Sequence, residues 1–329
     1  MFISVAIASF NGEKYIRKQI ESILNQTRKV DEIVISDDGS TDKTLAIIKD
    51  ISAHTNIEIV QIKNNKNHGY CGNFENAIKN TKGDIVFIAD QDDVWMPDKV
   101  EKVVQLFSDY RDCNTVITNG NIIDQNDHVL CESLTSSFTV TDYIMHLDGP
   151  TWLEHSVSQT LCNGMTLAIS RTLFSEILPF PDTTVGHDHW IIFNSVLTHG
   201  CYHLNERLVS YRLHGNNTAG NKEYKGKPGE RLIRIRKRLL SCESQSKNIL
   251  MMSAAIQKKL HVHGLDDTPA YHTAQSQLHI GQVLADAHQG FRLIGAFKIL
   301  RLFCTNMRYR HSGTNGFLLE VASVLMKRK

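Results

Sequence analysis

The sequence has little of what marks secreted, zinc-binding or membrane-spanning proteins. Its seven cysteines are odd in number and form no Cys-x-x-Cys pair. They therefore predict reduced thiols, and they argue against a disulfide framework or a zinc site. No stretch approaches the ~20 consecutive apolar residues that cross a bilayer, and Met1-Phe2-Ile3-Ser4 lacks the basic leader of a signal peptide. These absences predict a cytoplasmic protein.

Net charge is almost absent as well, at +1 for 329 residues, but this balance hides an asymmetry. From Lys222 onward the sequence has 19 Lys and Arg residues against 7 Asp and Glu, a local charge of +12. The acidic excess lies in the preceding part. A basic region that follows an acidic body favours contact with an anionic surface or partner. We therefore predict an α/β domain over residues 1–221 and a basic helical region over residues 222–329.

The most informative stretch runs from Gly83 to Lys99 and contains a short apolar run that ends abruptly in carboxylates. The apolar run predicts a buried strand, and Asp90, Asp92 and Asp93 follow at its end. Carboxylates this close repel one another unless a cation lies between them. Oxygen ligands favour Mg²⁺ or Mn²⁺. A solvated acidic turn that precedes a helix is the alternative for this stretch alone.

Two further apolar runs end in the same way. The run from Phe2 to Ala8 ends in Ser9-Phe10-Asn11-Gly12, and the run from Ile33 to Ser36 ends in Asp37-Asp38-Gly39-Ser40. A helical pattern follows each of them. Successive β-α units place the ends of their strands at one edge of a parallel sheet, where open α/β sheets bind ligands.

In this order the motifs SVAIASFNGEKYIRKQIESILNQT, DEIVISDDGSTDKT and GDIVFIADQDDVW resemble the family 2 nucleotide-sugar glycosyltransferases. The resemblance covers roughly the first two-thirds of the chain. DQDDVW and the later GHDHW and YRLHGNN resemble the bacterial rhamnosyltransferase-like branch that builds surface polysaccharides. The resemblance implies a GT-A-type fold, in which a mixed, mainly parallel sheet is flanked by helices, here with a C-terminal helical appendage.

The resemblance also implies roles for individual residues. It implies that one of Asp37 and Asp38 accepts the N–H of the base while the other helps to hold the ribose, and it leaves open which does which. The predicted metal ligands are Asp92, Asp90 and His214, for Mn²⁺ or Mg²⁺. The predicted donor-binding residues are Ser9, Asn11, Asp37, Asp38, Asn73, Asp90, Gln91 and Arg212. A structural ion pair is the alternative for Arg212, and a helix cap is the alternative for the segment around Asn73.

Asp188 lies in the motif Gly186-His187-Asp188-His189-Trp190, which precedes an apolar helical pattern. A carboxylate in the first turn of a helix is electrostatically favourable, and that is its structural explanation. The functional explanation is a general base, because inverting sugar transfer needs a carboxylate that takes the proton of the acceptor hydroxyl. The motif resembles the H-D-W-W of the family, with His189 in place of a Trp. We predict that Asp188 is this base.

The remaining stretches carry less information. Residues 119–160 are polar and predict an irregular region that faces the acceptor, and residues 165–169 predict a strand beside it. A helix is predicted from Phe74 to Lys79. In the basic region, helical patterns recur at residues 249–260, 274–288 and 297–307.

The resemblance implies an inverting, metal-dependent hexosyltransferase that uses dTDP-L-rhamnose, with UDP-glucose or another UDP-hexose as the alternative donor. It implies a polyprenyl-diphosphate-linked or growing glycan as acceptor, as in O-antigen or capsule assembly. The basic region then predicts peripheral binding to the inner face of the cell membrane, with self-association as a homodimer as the alternative. The sequence predicts no nucleic-acid partner. A nucleotidyltransferase would need a basic, Gly-rich loop after the first strand, and Ser9-Phe10-Asn11-Gly12 is not such a loop. The non-enzyme alternative is an inactive carbohydrate-binding module.

Overall fold

The computed structural model describes residues 1–64, 69–134, 142–182, 186–215, 217 and 247–289. The chain divides into two compact units, Met1–Lys222 and Glu223–Lys329. The first unit contains the sheet and its flanking helices. The second contains helices in its described part.

The described strands of the first unit form one mixed sheet in the order β3-β2-β1-β4-β9-β6-β10-β5, with β7 beside β6 and β8 beside β10. Strands β3, β2, β1 and β4 are parallel to one another. Strand β9 is antiparallel to both β4 and β6, and β10 is parallel to β6. The strands are β1 Ile3–Ser9, β2 Glu32–Asp37, β3 Glu58–Lys63, β4 Ile85–Asp90, β5 Val94–Trp95, β6 Thr115–Ile123, β7 Val129–Cys131, β8 Ile144–His146, β9 Leu167–Ser170 and β10 Cys201–Arg212.

Helices flank the sheet because one face of each is apolar. In the first helix Ile16, Ile20 and Ile23 recur at helical spacing and are fully buried. The helices of this unit are α1 Ile16–Leu24, α2 Thr44–Ser52, α3 Gly69–Lys79, α4 Lys99–Asp109, α5 Pro150–Ser158, α6 Phe174–Ile177 and α7 His187–Leu197.

The central strands β1 and β4 are apolar almost without interruption because both of their faces are covered. Val5, Ala6 and Ile7 on β1 and Phe87 and Ile88 on β4 are all 0% exposed. Strands buried on both sides lose the alternation of apolar and polar residues that marks a half-exposed strand. Their pairing fixes which residues leave the sheet together, since Ser9 is opposite Asp37 and Ala8 is opposite Asp90.

The structure confirms the predicted fold class and corrects three of its details. Residues 119–160 are not irregular throughout, because they include the end of β6, the strands β7 and β8, and the helix α5. Helix α3 begins at Gly69, five residues before the predicted start. The predicted strand at residues 165–169 is β9, and a 3-10 turn over Gly164–Thr166 delays its start to Leu167.

In the second unit the described residues form helix α8 over residues 247–262 and helix α9 over Pro269–Gln289. The two helices approach closely at Gly281, where an added Cβ would lie 2.8 Å from the Cα of Leu250. None of the described helices has the length and apolar character that a membrane span requires. The densest basic segment, Arg231–Arg238, and the helix predicted at residues 297–307 lie outside the described residues.

Candidate active site

The loop that follows β2 is held by the carboxylate of Asp37, which is 4% exposed. One oxygen of Asp37 accepts the backbone N–H groups of Gly39 at 3.0 Å and Ser40 at 2.7 Å. The other accepts the hydroxyl groups of Ser9 at 2.8 Å and Ser40 at 2.6 Å. Asp37 therefore joins the end of β1 to the loop after β2, and its four hydrogen bonds are all made to protein groups.

Asp38 is less enclosed than its neighbour. It is half-buried, and one of its oxygens accepts a hydrogen bond from the side-chain amide of Asn64 at 2.9 Å. Burial raises the pKa of Asp38 above its ordinary value, and the neighbouring charge of Asp37 adds to this effect. Of the two adjacent carboxylates, Asp38 is the one that the loop leaves more open to a ligand.

Asn11 and Gln91 connect loops. Asn11 has a positive φ of 48°, accepts the backbone N–H of Thr41 at 2.9 Å, and is exposed. The side-chain amide of Gln91 makes two bonds to the backbone of Phe10, each of 3.0 Å, one to its N–H and one to its carbonyl oxygen. An added Cβ at Gly12 would lie only 2.2 Å from the Gln91 oxygen. These contacts give Gln91 a structural role, where the sequence predicts a donor-binding one.

Asn73 lies on α3 and is 2% exposed. Its amide donates to the backbone oxygen of Ser9 at 3.1 Å, so it connects α3 to the end of β1. Its side-chain oxygen is buried and has no hydrogen-bond partner in the described part of the chain. The predicted residue thus lies at the site, on a helix that packs against the strand carrying Ser9.

The acidic loop after β4 is crowded and poorly solvated. Burial raises the pKa of Asp90 to about 7, with further contributions from the charges of Asp92 and Asp188. Burial also raises the pKa of Asp93 well above its ordinary value. Lys99 lies near these carboxylates and is fully buried. Its burial lowers the pKa of its ammonium group to about 7. Its ammonium group donates to the backbone oxygen of Met165 at 2.8 Å and lies 4.3 Å from the centroid of the Trp95 ring.

Asp92 and His214 are in direct contact although 122 residues separate them. The Nε2 atom of His214 lies 2.7 Å from Oδ2 of Asp92, and their side chains are 12% and 13% exposed. Asn217 supports this contact, because its amide donates to the backbone oxygen of Arg212 at 2.8 Å while its oxygen accepts the N–H of His214 at 2.5 Å. The segment after β10 is thereby folded back onto the acidic loop.

Arg212 is 1% exposed and makes its contacts within the protein. Its Nε donates to the backbone oxygen of Asp92 at 2.7 Å, and its Nη1 lies 2.6 Å from Oδ1 of Asp127. Its backbone N–H donates to Asp93 at 2.9 Å. The ring of Tyr15 covers the guanidinium, with 4.8 Å between Cζ and the ring centroid. The structure thus shows the ion pair that was the alternative for Arg212, where the sequence predicts a diphosphate-binding residue.

The residues present fit a divalent cation with two protein ligands. Among the described residues, no three His, Cys, Asp or Glu side chains are grouped so as to hold one ion, so the predicted set of Asp90, Asp92 and His214 is not assembled. The pair of Asp92 and His214 nevertheless offers a carboxylate oxygen and an imidazole nitrogen. Mg²⁺ and similar ions often take few protein ligands and complete their coordination with water and substrate phosphates. The poorly solvated charges around the pair would also be stabilised by a cation.

Asp188 lies in the first turn of α7, which begins after Gly186 with a φ of 93°. The side chain is half-buried, and its Oδ1 accepts the backbone N–H of His189 at 2.8 Å. The charge of Asp188 contributes to the raised pKa of Asp90, so the predicted base lies near the acidic loop. His189 points away from the site, with Nε2 2.7 Å from the backbone oxygen of Ser156 on α5.

Sequence reasoning missed three residues that shape this site: Lys99, Tyr15 and Asn217. Lys99 had a signal, because it is the first basic residue after the three aspartates and is therefore a candidate counter-ion. Tyr15 had no signal in the sequence. Its ring stacks on that of His214, with 4.9 Å between centroids, and only the folded chain brings these two distant residues together. Asn217 is the last residue of the motif YRLHGNN, but the motif does not show that this side chain folds the turn after β10.

The comparisons with known proteins agree with this architecture. The sequence profile described as Glycosyl transferase family 2 matches residues 4–149, which contain β1, β2, β4 and the acidic loop. The chain carries a glycosyltransferase family 2 domain.

Several relatives in sequence are named glycosyltransferases. An uncharacterized glycosyltransferase of Nostoc sp. is 30% identical over 227 residues, which is 66% of this chain and 66% of that protein. The glucosyltransferase WfaP of Escherichia coli is 28% identical, and the match covers 67% of this chain and 80% of WfaP. TuaG of Bacillus subtilis, named a putative teichuronic acid biosynthesis glycosyltransferase, is 27% identical, and the match covers 67% of this chain and 82% of TuaG. The chain spans about two thirds of the length of the Nostoc relative.

Solved structures share the fold at low sequence identity. TarS 1-349 of S. aureus, in complex with UDP-GlcNAc, has a TM-score of 0.53 and 12% identity, covering 99% of this chain and 90% of that one. The mannosyltransferase PcManGT of Pyrobaculum calidifontis, in complex with GDP-Man and Mn²⁺, has a TM-score of 0.52 and 15% identity, covering 99% and 88%. The domain therefore has a GT-A-type fold.

Proposed function

We propose that this protein is an inverting glycosyltransferase that moves a sugar from a nucleoside-diphosphate donor to an acceptor hydroxyl. The observation that carries the proposal is the contact between Asp92 and His214 in the acidic loop, together with the carboxylate of Asp188, whose charge acts on Asp90 in the same loop. One carboxylate–imidazole pair suits a diphosphate-bound cation, and a separate carboxylate suits proton abstraction. The family 2 domain at residues 4–149 supports the same reaction class.

The donor half of the proposed site lies at the ends of β1, β2 and β4. We propose that Asp38 contacts the nucleoside, because Asp37 already accepts four hydrogen bonds from its surroundings. Ser9 and Asn11 shape the loop that faces it, with Asn73 beneath the end of β1. Asp92 and His214 are the proposed ligands of Mn²⁺ or Mg²⁺. When bound, the cation would neutralise the diphosphate that leaves with the nucleoside.

The acceptor half contains Asp188. Its carboxylate takes the proton from the acceptor hydroxyl as that oxygen attacks the anomeric carbon from the face opposite the diphosphate. The C–O bond to the acceptor forms, the C–O bond to the diphosphate breaks, and the anomeric configuration inverts. The charges of both Asp92 and Asp188 act on Asp90, and a cation bound at Asp92 would stabilise the ionised form of Asp90.

The proposed donor is dTDP-L-rhamnose, and a UDP-hexose is the alternative. WfaP, by its name, uses UDP-glucose and an acceptor linked to diphosphoundecaprenol, which supports the alternative donor and a lipid-linked acceptor. A screen of nucleotide sugars with Mn²⁺, in which the release of nucleoside diphosphate is measured, tests the proposal. One donor should give metal-dependent release. The absence of release and of binding for every donor would favour an inactive carbohydrate-binding module.

For a lipid-linked acceptor, we further propose that the basic region holds the protein at the inner face of the cell membrane. Each Lys or Arg near an anionic surface contributes about 1 kcal/mol of binding, so a few charges suffice for reversible attachment. We predict that the protein sediments with anionic vesicles at low salt and is released at high salt, because salt screens exposed charges.

The specific test is the fourfold charge reversal of Arg234, Arg236, Lys237 and Arg238 to Glu, which should abolish sedimentation and leave hydrolysis of a soluble donor unchanged. A matched control changes the net charge equally on exposed residues outside the basic region: Lys29, Lys49, Lys63 and Arg111 to Glu. The control should still sediment. If the wild type never binds such vesicles, the basic region has another role, and self-association measured by ultracentrifugation is the next candidate.

A further inference from the structure

His187 is a buried histidine that the proposed reaction does not use. It is the first residue of α7 and is 5% exposed. Neither Nδ1 nor Nε2 has a partner in the described part of the chain. A buried polar group without a partner costs stability. The conformational stability of the fold therefore does not explain why an imidazole occupies this position.

The ring is enclosed on several sides by other parts of the fold. It stacks on Phe74 of α3, with 4.2 Å between centroids and 22° between planes, and Tyr70 meets its edge at 5.7 Å. On another side lies Gly164, where an added Cβ would be 2.5 Å from Nε2 of His187 and 3.1 Å from Cε1. The ring thus fills a space bounded by α3 and by the 3-10 turn before β9.

This enclosure acts on the first turn of α7, which carries Asp188. Tyr70 also lies beside Gly186, the residue that precedes the helix, and the backbone of Gly186 acts on the hydroxyl of Tyr70. Tyr70, Phe74 and Gly164 therefore restrain both Gly186 and His187, and the backbone of Asp188 follows directly. Burial keeps the imidazole neutral by lowering its pKa, so its contribution is shape and not charge.

We infer that His187 is a positioning residue: its ring, wedged between Phe74 and Gly164, sets the direction of the Asp188 carboxylate toward the acceptor. This inference rests on the proposed role of Asp188 as general base. A catalytic group that is displaced by about 1 Å can lose on the order of 10²-fold in rate. Apart from Asn73 on α3, the proposed nucleotide-binding residues lie at the ends of β1 and β2, so a shift of α7 should leave nucleotide binding intact.

Gly164→Ala tests the inference, because it adds one methyl group at the point of contact with His187 and changes no polar group. We expect kcat for transfer to fall by roughly 10- to 100-fold, with the KM for the donor and the Kd for the nucleoside diphosphate unchanged. Gly200→Ala is the matched control, since its added Cβ would lie 2.3 Å from Asn114, away from α3 and the acidic loop. The control should lose stability in a thermal melt and retain kcat.

Two double-mutant cycles separate positioning from a general structural effect. In a His187→Ala background the added methyl group has space, so Gly164→Ala should lower kcat no further. In an Asp188→Asn background His187→Ala should cost no additional rate, because His187 acts through that carboxylate. Additive losses in either cycle would overturn the inference.

The outcomes also distinguish this inference from the proposed function. A wild-type kcat in Gly164→Ala, with transfer lost in Asp188→Asn, would overturn the positioning role alone. Near wild-type transfer in Asp188→Asn would overturn the base assignment, and the positioning role with it. If Gly164→Ala does not fold, Phe74→Leu removes the stacked ring from the other side. An unchanged kcat in that variant would equally overturn the inference.

Discussion

Asp188→Asn is expected to lower the rate of sugar transfer by at least ~10²-fold, the contribution typical of a general base. The amide has the shape of the carboxylate, and its oxygen can still accept the N–H of His189 that Asp188 accepts at 2.8 Å. What the variant loses is the basicity needed to take the proton of the acceptor hydroxyl. The fold should therefore persist while transfer fails.

Nucleotide binding provides the internal control for this variant. Asp188 lies on α7, whereas the proposed nucleotide-binding residues are on β1 and β2, so the Kd for the nucleoside diphosphate measured by calorimetry should match that of the wild type. Asp182→Asn, a change of the same kind at an exposed position before α7, should retain transfer. Near wild-type transfer by Asp188→Asn would assign the base to another carboxylate.

Asp92→Ala is expected to weaken the binding of Mn²⁺ by at least ~10²-fold. Substitution of a residue that only supports a metal ligand can already lower metal affinity by about 10²-fold, so the loss of a direct ligand should cost at least as much. The contact of 2.7 Å between Asp92 and His214 would be lost, leaving one protein ligand. The fold should survive, because Arg212 bonds to the backbone oxygen of Asp92 and alanine keeps that oxygen.

Calorimetry of the nucleoside diphosphate with and without Mn²⁺ measures this effect without requiring catalysis. Wild-type affinity should rise with Mn²⁺, and the affinity of Asp92→Ala should not. Asp50→Ala removes an exposed carboxylate that pairs with Arg17 on the surface, and it should behave as the wild type. Equal nucleotide affinity with and without Mn²⁺ in the wild type itself would contradict the proposed metal site.

Much of the fold and of the site was predictable because it depends on patterns that are local in sequence. Apolar runs of about six residues that end in polar groups located β1, β2 and β4, since strands buried on both faces must be apolar throughout. The parallel β-α order then placed Ser9, Asp37 and Asp90 at one edge, and the register of the sheet confirms this. Residues 119–160 escaped prediction because β7 and β8 have only three residues each. Helix α5 is fixed by other parts of the fold, through contacts such as that of Ser156 with His189.

The sequence by itself determined which polar residues reach the carboxyl edge of the sheet and which motif family they resemble. Only the tertiary structure decided what each side chain contacts there. Arg212 pairs with Asp127, Gln91 bonds to Phe10, and the ring of His187 fills the space beside Gly164. The physical reason is that a side chain's direction is set by its packing and hydrogen-bond partners, and these partners are separated by 23 to 85 residues along the chain.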